Sequence, residues 1–405
     1  MKKLLKDTLI IIAVTLAMLA LIELALRVFA PGLKDLRYKP ASVAFQHNEK
    51  YLVALKPNVE KLYNKGGAKV IWKTNSLGFR GEEIGEKTRP RVIVYGDSNV
   101  HARFSPDAET YPVVIEQQLR NAGINMQVIN AGMTGSGPDQ SLLRLQEDFD
   151  KVQPDIVIIH VFADNDYGDI IKNRLFKLNE KGELIKSGFP VTVDKRFSSF
   201  SYAAVEFFSP LYIQGAINFL VSNSSQVKEN SPEQKEKTFH LLEENNAVAY
   251  EIYAKDQPRQ LSHFKDYYDI DIATRPESES AQTKIALMEK VLEAANSYCV
   301  KKKIKLLVVV QPSALDLTLR PHELGYQDLA QKYKSYSPTN LTNPLKMICE
   351  KHHLNCVHLI DSYKKNEPDT LYRDDDHWNA KGQQIAAEET LRKILLLMQS
   401  RNYVK

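Results

Sequence analysis

The sequence predicts an α/β protein of three layers, a central parallel five-stranded sheet between helices, preceded by one apolar N-terminal helix and interrupted by an insertion after the third strand. Three observations support this. An apolar run opens the chain. From residue 91, short apolar runs alternate with amphipathic stretches, the pattern of a parallel sheet with helices on both faces. Between about 168 and 280 that alternation stops.

The opening run follows "MKKLLKD" and extends from Leu9 to Ala30, 22 residues, enough to cross a bilayer as a helix. Glu23 and Arg27 are its late interruptions, four apart, so they can pair on one face near the far interface. A cleaved signal peptide is the rival, but its apolar region would be shorter, and Pro31 makes a poor cleavage junction. We read residues 1–30 as an uncleaved, single-pass anchor. Lys2, Lys3 and Lys6 put the amino terminus in the cytoplasm. Everything after Ala30 is then extracytoplasmic, periplasmic or at the cell surface.

Residues 31–90 read as a juxtamembrane stalk and lead-in, and 91–400 as the main domain. "RVIVYG" (Arg91–Gly96) is the first strand, followed by "DSNV" and a helix near 110–122. "MQVINAG" (Met126–Gly132) is the second strand, with a helix near 138–151. "DIVIIHVF" (Asp155–Phe162) is the third. Within the insertion at about 168–280, "LFKLNEKGELI" reads as a hairpin turning at Lys181-Gly182, and Ser231-Pro232 as a helix start. The aromatic stretch from Phe197 to Tyr212 reads as a local core. A helix with apolar Ile285, Met288, Leu292, Ala295 and Cys299 leads into the fourth strand, "KIKLLVVVQPS" (Lys303–Ser313). "NCVHLID" (Asn355–Asp361) is the fifth, and a helix from "NAKGQQ" closes the chain. The arrangement is flavodoxin-like.

The 405 residues allow a sizeable core, and a net charge of +4 without a basic stripe argues against a nucleic-acid partner. Three cysteines are too few for a disulfide scaffold and lack metal-ligand spacing. Cys349 and Cys356 can bridge only if their α-carbons come within about 7 Å. Otherwise they are small buried side chains, and both readings stay open. Oligomeric state is not legible.

The chemistry gathers at four places. Ser98, two residues after the first strand, is either a helix cap or a nucleophile at the carboxyl edge of the sheet. A serine nucleophile needs a base and an orienting acid. "YRDDDHWNAKG" supplies His377 with Asp374 three residues before it. The bland reading of that segment is a solvated loop or a metal site, although no second ligand cluster completes a shell. Acyl chemistry also needs oxyanion donors. "NAGMTGSGPDQ" offers the backbone N–H of Gly135, and "FADND" offers the amide of Asn165.

Taken in order, "GDSNV", "NAGMTG", "FADND" and "DDDHWN" resemble the four blocks of the SGNH hydrolase family, the GDSL-type esterases, across residues 91–382. The resemblance implies Ser98 as nucleophile, His377 as base and Asp374 as orienting acid. It implies an oxyanion hole of the Ser98 and Gly135 N–H groups and the Asn165 side chain, with no metal and no cofactor. Ala163 departs from the family, which usually has glycine there; the expected consequence is a small change of loop path. "NSLGFRG" (Asn75–Gly81), with the anchor, resembles membrane-tethered bacterial members linked to surface polysaccharides. The implied activity is ester hydrolysis of O-acyl, including acetyl, groups on a small molecule, glycan or lipid. An O-acyltransferase of surface polysaccharide on the same triad is the first alternative, and a non-catalytic assembly protein of the same fold the second. A metal-dependent phosphatase or nuclease is the least favoured.

Overall fold

The computed structural model describes residues 2–36, 44–65, 68–189, 211–225, 232–257, 269–313, 315–317, 329–373 and 377–399. Five strands form the central sheet: β1 (Arg91–Gly96), β2 (Gln127–Gly132), β3 (Ile156–Phe162), β4 (Lys305–Gln311) and β5 (Cys356–His358). Their spatial order is β5-β4-β3-β1-β2, and every pairing is parallel. That is the doubly wound, flavodoxin-like order.

The strands read as mainly apolar runs because both faces of the sheet are covered. Val92 and Val94 share one core with Val128, Ile158, Leu307 and Val309. Ile93 and Tyr95 share the opposite core with Ile129, Ile159 and Val308. The first face is covered by α3 (Tyr111–Asn121) and the C-terminal helix α12 (Ala380–Gln399); the second is covered by α4 (Pro138–Val152), α5 (Asp166–Asn173) and α9 (Glu279–Lys301). Each fully buried Val, Leu or Ile contributes roughly 1.5–3 kcal/mol.

Other helices include α1 (Lys2–Phe29), a four-residue α2 (Ser98–His101), and, in the insertion, α6 (Tyr212–Ser225), α7 (Pro232–Ala254) and α8 (Ile270–Thr274). Between β4 and α12 lie α10 (Thr342–Lys351) and α11 (Ile360–Lys365). Leu5–Phe29 of α1 is long and apolar enough to cross a membrane. The expected hairpin is present, Phe176–Leu178 against Leu184–Lys186. Pro232 opens α7 as its first residue; Ser231 and residues 197–210 of the aromatic stretch lie outside the described residues.

β2 and β3 each start one residue later than the sequence reading has them, and the fourth and fifth strands differ by more. β4 starts at Lys305, because Lys303 takes a left-handed conformation (φ 59°) and Ile304 N–H donates back to Cys299 O. β5 is only three residues long, since the chain turns into α11 once Leu359 N–H has bonded Val310 O at 3.0 Å. The lead-in contributes to the cores as well. Its two hairpins (Phe45–Asn48 with Leu52–Leu55, and Glu60–Lys65 with Ala68–Lys73) place Phe45, Val53, Leu55 and Trp72 in a small core with Met133. Phe79 and Ile84 enter the main core. Cys349 and Cys356 are bridged, with α-carbons 6.3 Å apart, and Cys299 is buried.

Candidate active site

β1 lies between β2 and β3, and the register pairs Gly96 with Gly132 and Tyr95 with Ile159. The segments leaving these three strands therefore emerge side by side at the carboxyl edge. Ser98, Gly135 and Asn165 all belong to them.

At the end of β1 the cap and the serine are neighbouring residues. Asp97 is the N-cap of α2, its Oδ1 accepting the Asn99 N–H at 2.8 Å. Ser98, relieved of capping, is the first helical residue and is half-buried. The short helix closes at Ala102 (φ 49°), whose N–H reaches Ser98 O at 2.8 Å. Its last carbonyls face a cation. Buried Arg80, from the lead-in, donates Nη1 to His101 O and Ala102 O (2.6 and 2.5 Å). Its Nη2 donates to Ser105 O and to Asp107 Oδ1 (2.8 and 2.6 Å). Orphan carbonyls at a helix end need such donors.

Two buried histidines brace this turn. His101 meets the edge of Trp72 (ring centroids 4.7 Å apart), and its Nδ1 lies 2.8 Å from Thr134 Oγ1 in the glycine turn. Burial, then the nearby Arg80 charge, holds its pKa well below the ordinary histidine value. His160, on β3, has Nε2 at 2.9 Å from Gln311 Oε1 and Nδ1 at 3.7 Å from Asp97 Oδ1. Burial lowers its pKa too, despite Asp97. For both rings, burial is the largest cause, and it disfavours the charged form.

After β2, Met133 N–H bonds Gly96 O at 2.9 Å, and Ser136 N–H returns to Met133 O at 3.1 Å. Gly135 between them has φ +75°, a conformation costly for a residue with a Cβ. Its N–H makes no hydrogen bond among the described residues. After β3, Ala163 N–H bonds Gln311 O at 3.0 Å, and the fully buried Ala163 side chain joins the core. Asp164 accepts the Ser313 hydroxyl, and Asp166 accepts the Phe162 N–H at 2.7 Å. Burial first, then Asp97 and Asp169, raises the Asp166 pKa well above the usual carboxylate value. Asn165, buried between these two acids, is the N-cap of α5.

The last loop closes over the turn. Tyr372 and Trp378 form a bridge, and Arg373 N–H donates to His377 O at 2.7 Å. Two contacts attach this loop near Ser98: Trp378 N–H donates to Asn99 Oδ1 at 3.0 Å, and Arg373 Nη2 donates to Phe104 O at 2.8 Å. The half-buried His377 ring meets Phe104 edge-on, centroids 5.0 Å apart. Asp374 lies outside the described residues.

The sequence reading missed Asn99, Arg80 and Gln383. Gln383 accepts the Tyr111 N–H at 2.8 Å and donates to Ser105 Oγ at 2.7 Å, fastening α12 to the segment after α2. None has a spacing signal, because most of their partners are backbone groups or lie far away in sequence.

No protein-family model and no curated protein matches the chain. Among solved structures, the chain is similar to an acetyl xylan esterase, AlAXEase, at 14% identity and TM-score 0.36, covering 75% of this chain and 99% of that one. It is similar to a lipase/acylhydrolase from Enterococcus faecalis at 12% identity and TM-score 0.36, covering 75% and 95%. A catalytic mutant of Axe2, an acetylxylan esterase from Geobacillus stearothermophilus, matches at 11% identity and TM-score 0.38, covering 75% and 94%. Likenesses this distant bear on no residue's role.

Proposed function

We propose that the chain is a membrane-anchored serine ester hydrolase of the SGNH type, cleaving O-acyl groups from a carbohydrate or lipid outside the cytoplasm. The supporting observation is the Trp378 N–H to Asn99 Oδ1 bond, which fastens the residue after His377 to the residue after Ser98 across 279 positions. Ser98 Oγ attacks the acyl carbonyl while His377 takes its proton, with Asp374 orienting the imidazole. The developing oxyanion is received by the Ser98 and Gly135 N–H groups and the Asn165 amide. His377 returns the proton to the leaving alcohol, and water then releases the acyl group from Ser98. Lys2, Lys3 and Lys6 before α1 support a cytoplasmic amino terminus. The Cys349–Cys356 bridge suits an oxidising compartment.

The test is turnover of p-nitrophenyl acetate by the full chain in the presence of a chelator, with mass analysis after exposure to a phosphonate ester. Turnover that survives chelation, together with a single adduct on Ser98, supports the proposal. Turnover abolished by the chelator, or an adduct on another residue with Ser98 unmodified, overturns it.

A further inference from the structure

The insertion returns to the N-terminal helix. α6 begins beside the single carboxylate of the apolar part of α1: Glu23 accepts the Tyr212 N–H at 2.9 Å and the Ile213 N–H at 3.1 Å. Arg27 Nε bonds the same carboxylate at 2.8 Å, and its guanidinium carbon lies 5.3 Å from the Tyr212 ring centre. One turn later Gly215 passes the segment after α1 so closely that a Cβ would stand 2.2 Å from Leu33 O. Only glycine fits this approach.

Depth is the consequence. Glu23 precedes the end of α1 at Phe29 by six residues, about 9 Å at 1.5 Å per residue. α6 therefore starts within the length of the segment that is apolar enough to cross a membrane. In hydrocarbon bare helix N–H groups and an unpaired carboxylate are each costly; here Glu23, already paired with Arg27, also accepts two N–H groups at the start of α6. The 14 residues of α6 include no charged side chain, and Ile217 and Leu220 are 53% and 66% exposed. From Phe197 to Val227 the sequence has one charged residue, Glu206, and seven aromatic ones. Tyrosine is enriched at the membrane–water interface, and Tyr212 opens α6.

We propose that α6 is a membrane-interface helix, its exposed apolar side chains seated in the acyl chains of the leaflet where α1 ends. It would hold the domain against the bilayer surface at a second point besides the anchor. This rests on the membrane reading of α1.

The test uses the full chain in phosphatidylcholine vesicles with brominated acyl chains, which quench tryptophan in lipid. The two native tryptophans, Trp72 and Trp378, are both buried, so an added one reports its own surroundings. Ile217→Trp and Leu220→Trp are compared with Leu16→Trp, in the middle of the apolar run. The expected result is loss of emission in all three with brominated lipid and little loss with acrylamide in water. p-Nitrophenyl acetate turnover at the parental rate checks folding. If Leu16→Trp is quenched by lipid but both α6 variants by acrylamide, α6 is in water; this inference falls while the anchor stands. If the α6 variants are shielded from both quenchers, protein covers the helix, a second copy included, and the inference falls again. If lipid leaves Leu16→Trp unquenched as well, the anchor reading fails and takes this inference with it.

Discussion

Two buried polar clusters, one around Lys284 and one around Ser98, end differently. Around Lys284, on α9, the ammonium donates to Asn246 Oδ1, Asp269 Oδ1 and Asp271 Oδ1, each at 2.8 Å. Those are all the donors it has. The acids are used on their other sides as well: Asp269 accepts the Gly168 N–H at 2.9 Å, and Asp271 the Ser280 hydroxyl at 2.5 Å. Around Ser98, by contrast, Asp97, Asn99, Arg80 and His160 are buried, but the serine they surround is half-exposed. One cluster closes on itself and joins the insertion to α5 and α9. The other surrounds a residue that is only partly buried.

The pKa values follow the same division. Burial pulls Lys284 down, but its two carboxylates outweigh that and raise it. Burial pushes Asp271 up, yet the Lys284 charge and hydrogen bond bring it below the usual range. Asp269, buried and beside a second acid, is pushed up to about 6 despite Lys284. We place the shared charge mainly on Asp271, which also has the serine hydroxyl.

The sharpest way to break the comparison is to exchange the effects. Ser98→Ala should lower ester cleavage by roughly 10⁴-fold or more while the melting temperature stays put. Lys284→Met should do the reverse. It leaves two buried carboxylates without their cation, a change that costs about 3–5 kcal/mol, while turnover per folded molecule is unchanged. Urea melts and p-nitrophenyl acetate rates on both variants check this. A Lys284→Met protein as stable as the parent would show the cluster is not structural.

Next in size is Asn165→Ala. If its amide receives the oxyanion, kcat falls about 10²- to 10³-fold with KM little changed. A loss confined to KM would assign Asn165 to substrate binding alone.

How much of this was readable follows from where the determinants lie. β1 to β4 were legible because both faces are buried, so each strand reads as a mainly apolar run, broken inside only by Asn130 in β2 and His160 in β3. β5, three residues long, was legible only as part of a longer segment that turns into α11. Three of the four blocks are short strings at or just after the ends of β1, β2 and β3, and the fourth is on the loop before α12. What fixes them in space was not legible. Arg80 donates mostly to backbone carbonyls, which every residue has, so its partners leave no trace in sequence. Lys284 meets acids 13 and 15 residues away and an asparagine 38 away, at no helical or strand period. The cysteine pair had a permissive spacing, but whether Cys356 faces α10 depends on how β5 leaves the sheet.

The smallest expected effect concerns an acid that belongs to neither cluster. Asp139, in the first turn of α4, is fully buried; Oδ1 accepts the Asn173 amide at 3.1 Å, and Oδ2 has no hydrogen-bond partner among the described residues. Burial pushes its pKa up to about 7, against the weaker pull of Asn173. In the unfolded chain the value is about 3.9. The folded state therefore binds the proton more tightly. Its contribution to stability is complete below about pH 4 and is lost as pH rises to about 7, at a slope of at most about 1.4 kcal/mol per pH unit for one proton. Asp139→Asn keeps the acceptor for Asn173 but cannot ionise. Relative to the parent, the variant should gain stability steadily from pH 5 to pH 7 and no further well above that. Asp316, also raised to about 7 by burial, titrates identically in both proteins and cancels in the difference. Denaturation midpoints at several pH values decide the matter: parallel curves for parent and variant would mean that Asp139 is ionised throughout, and that a buried acid here needs no cation.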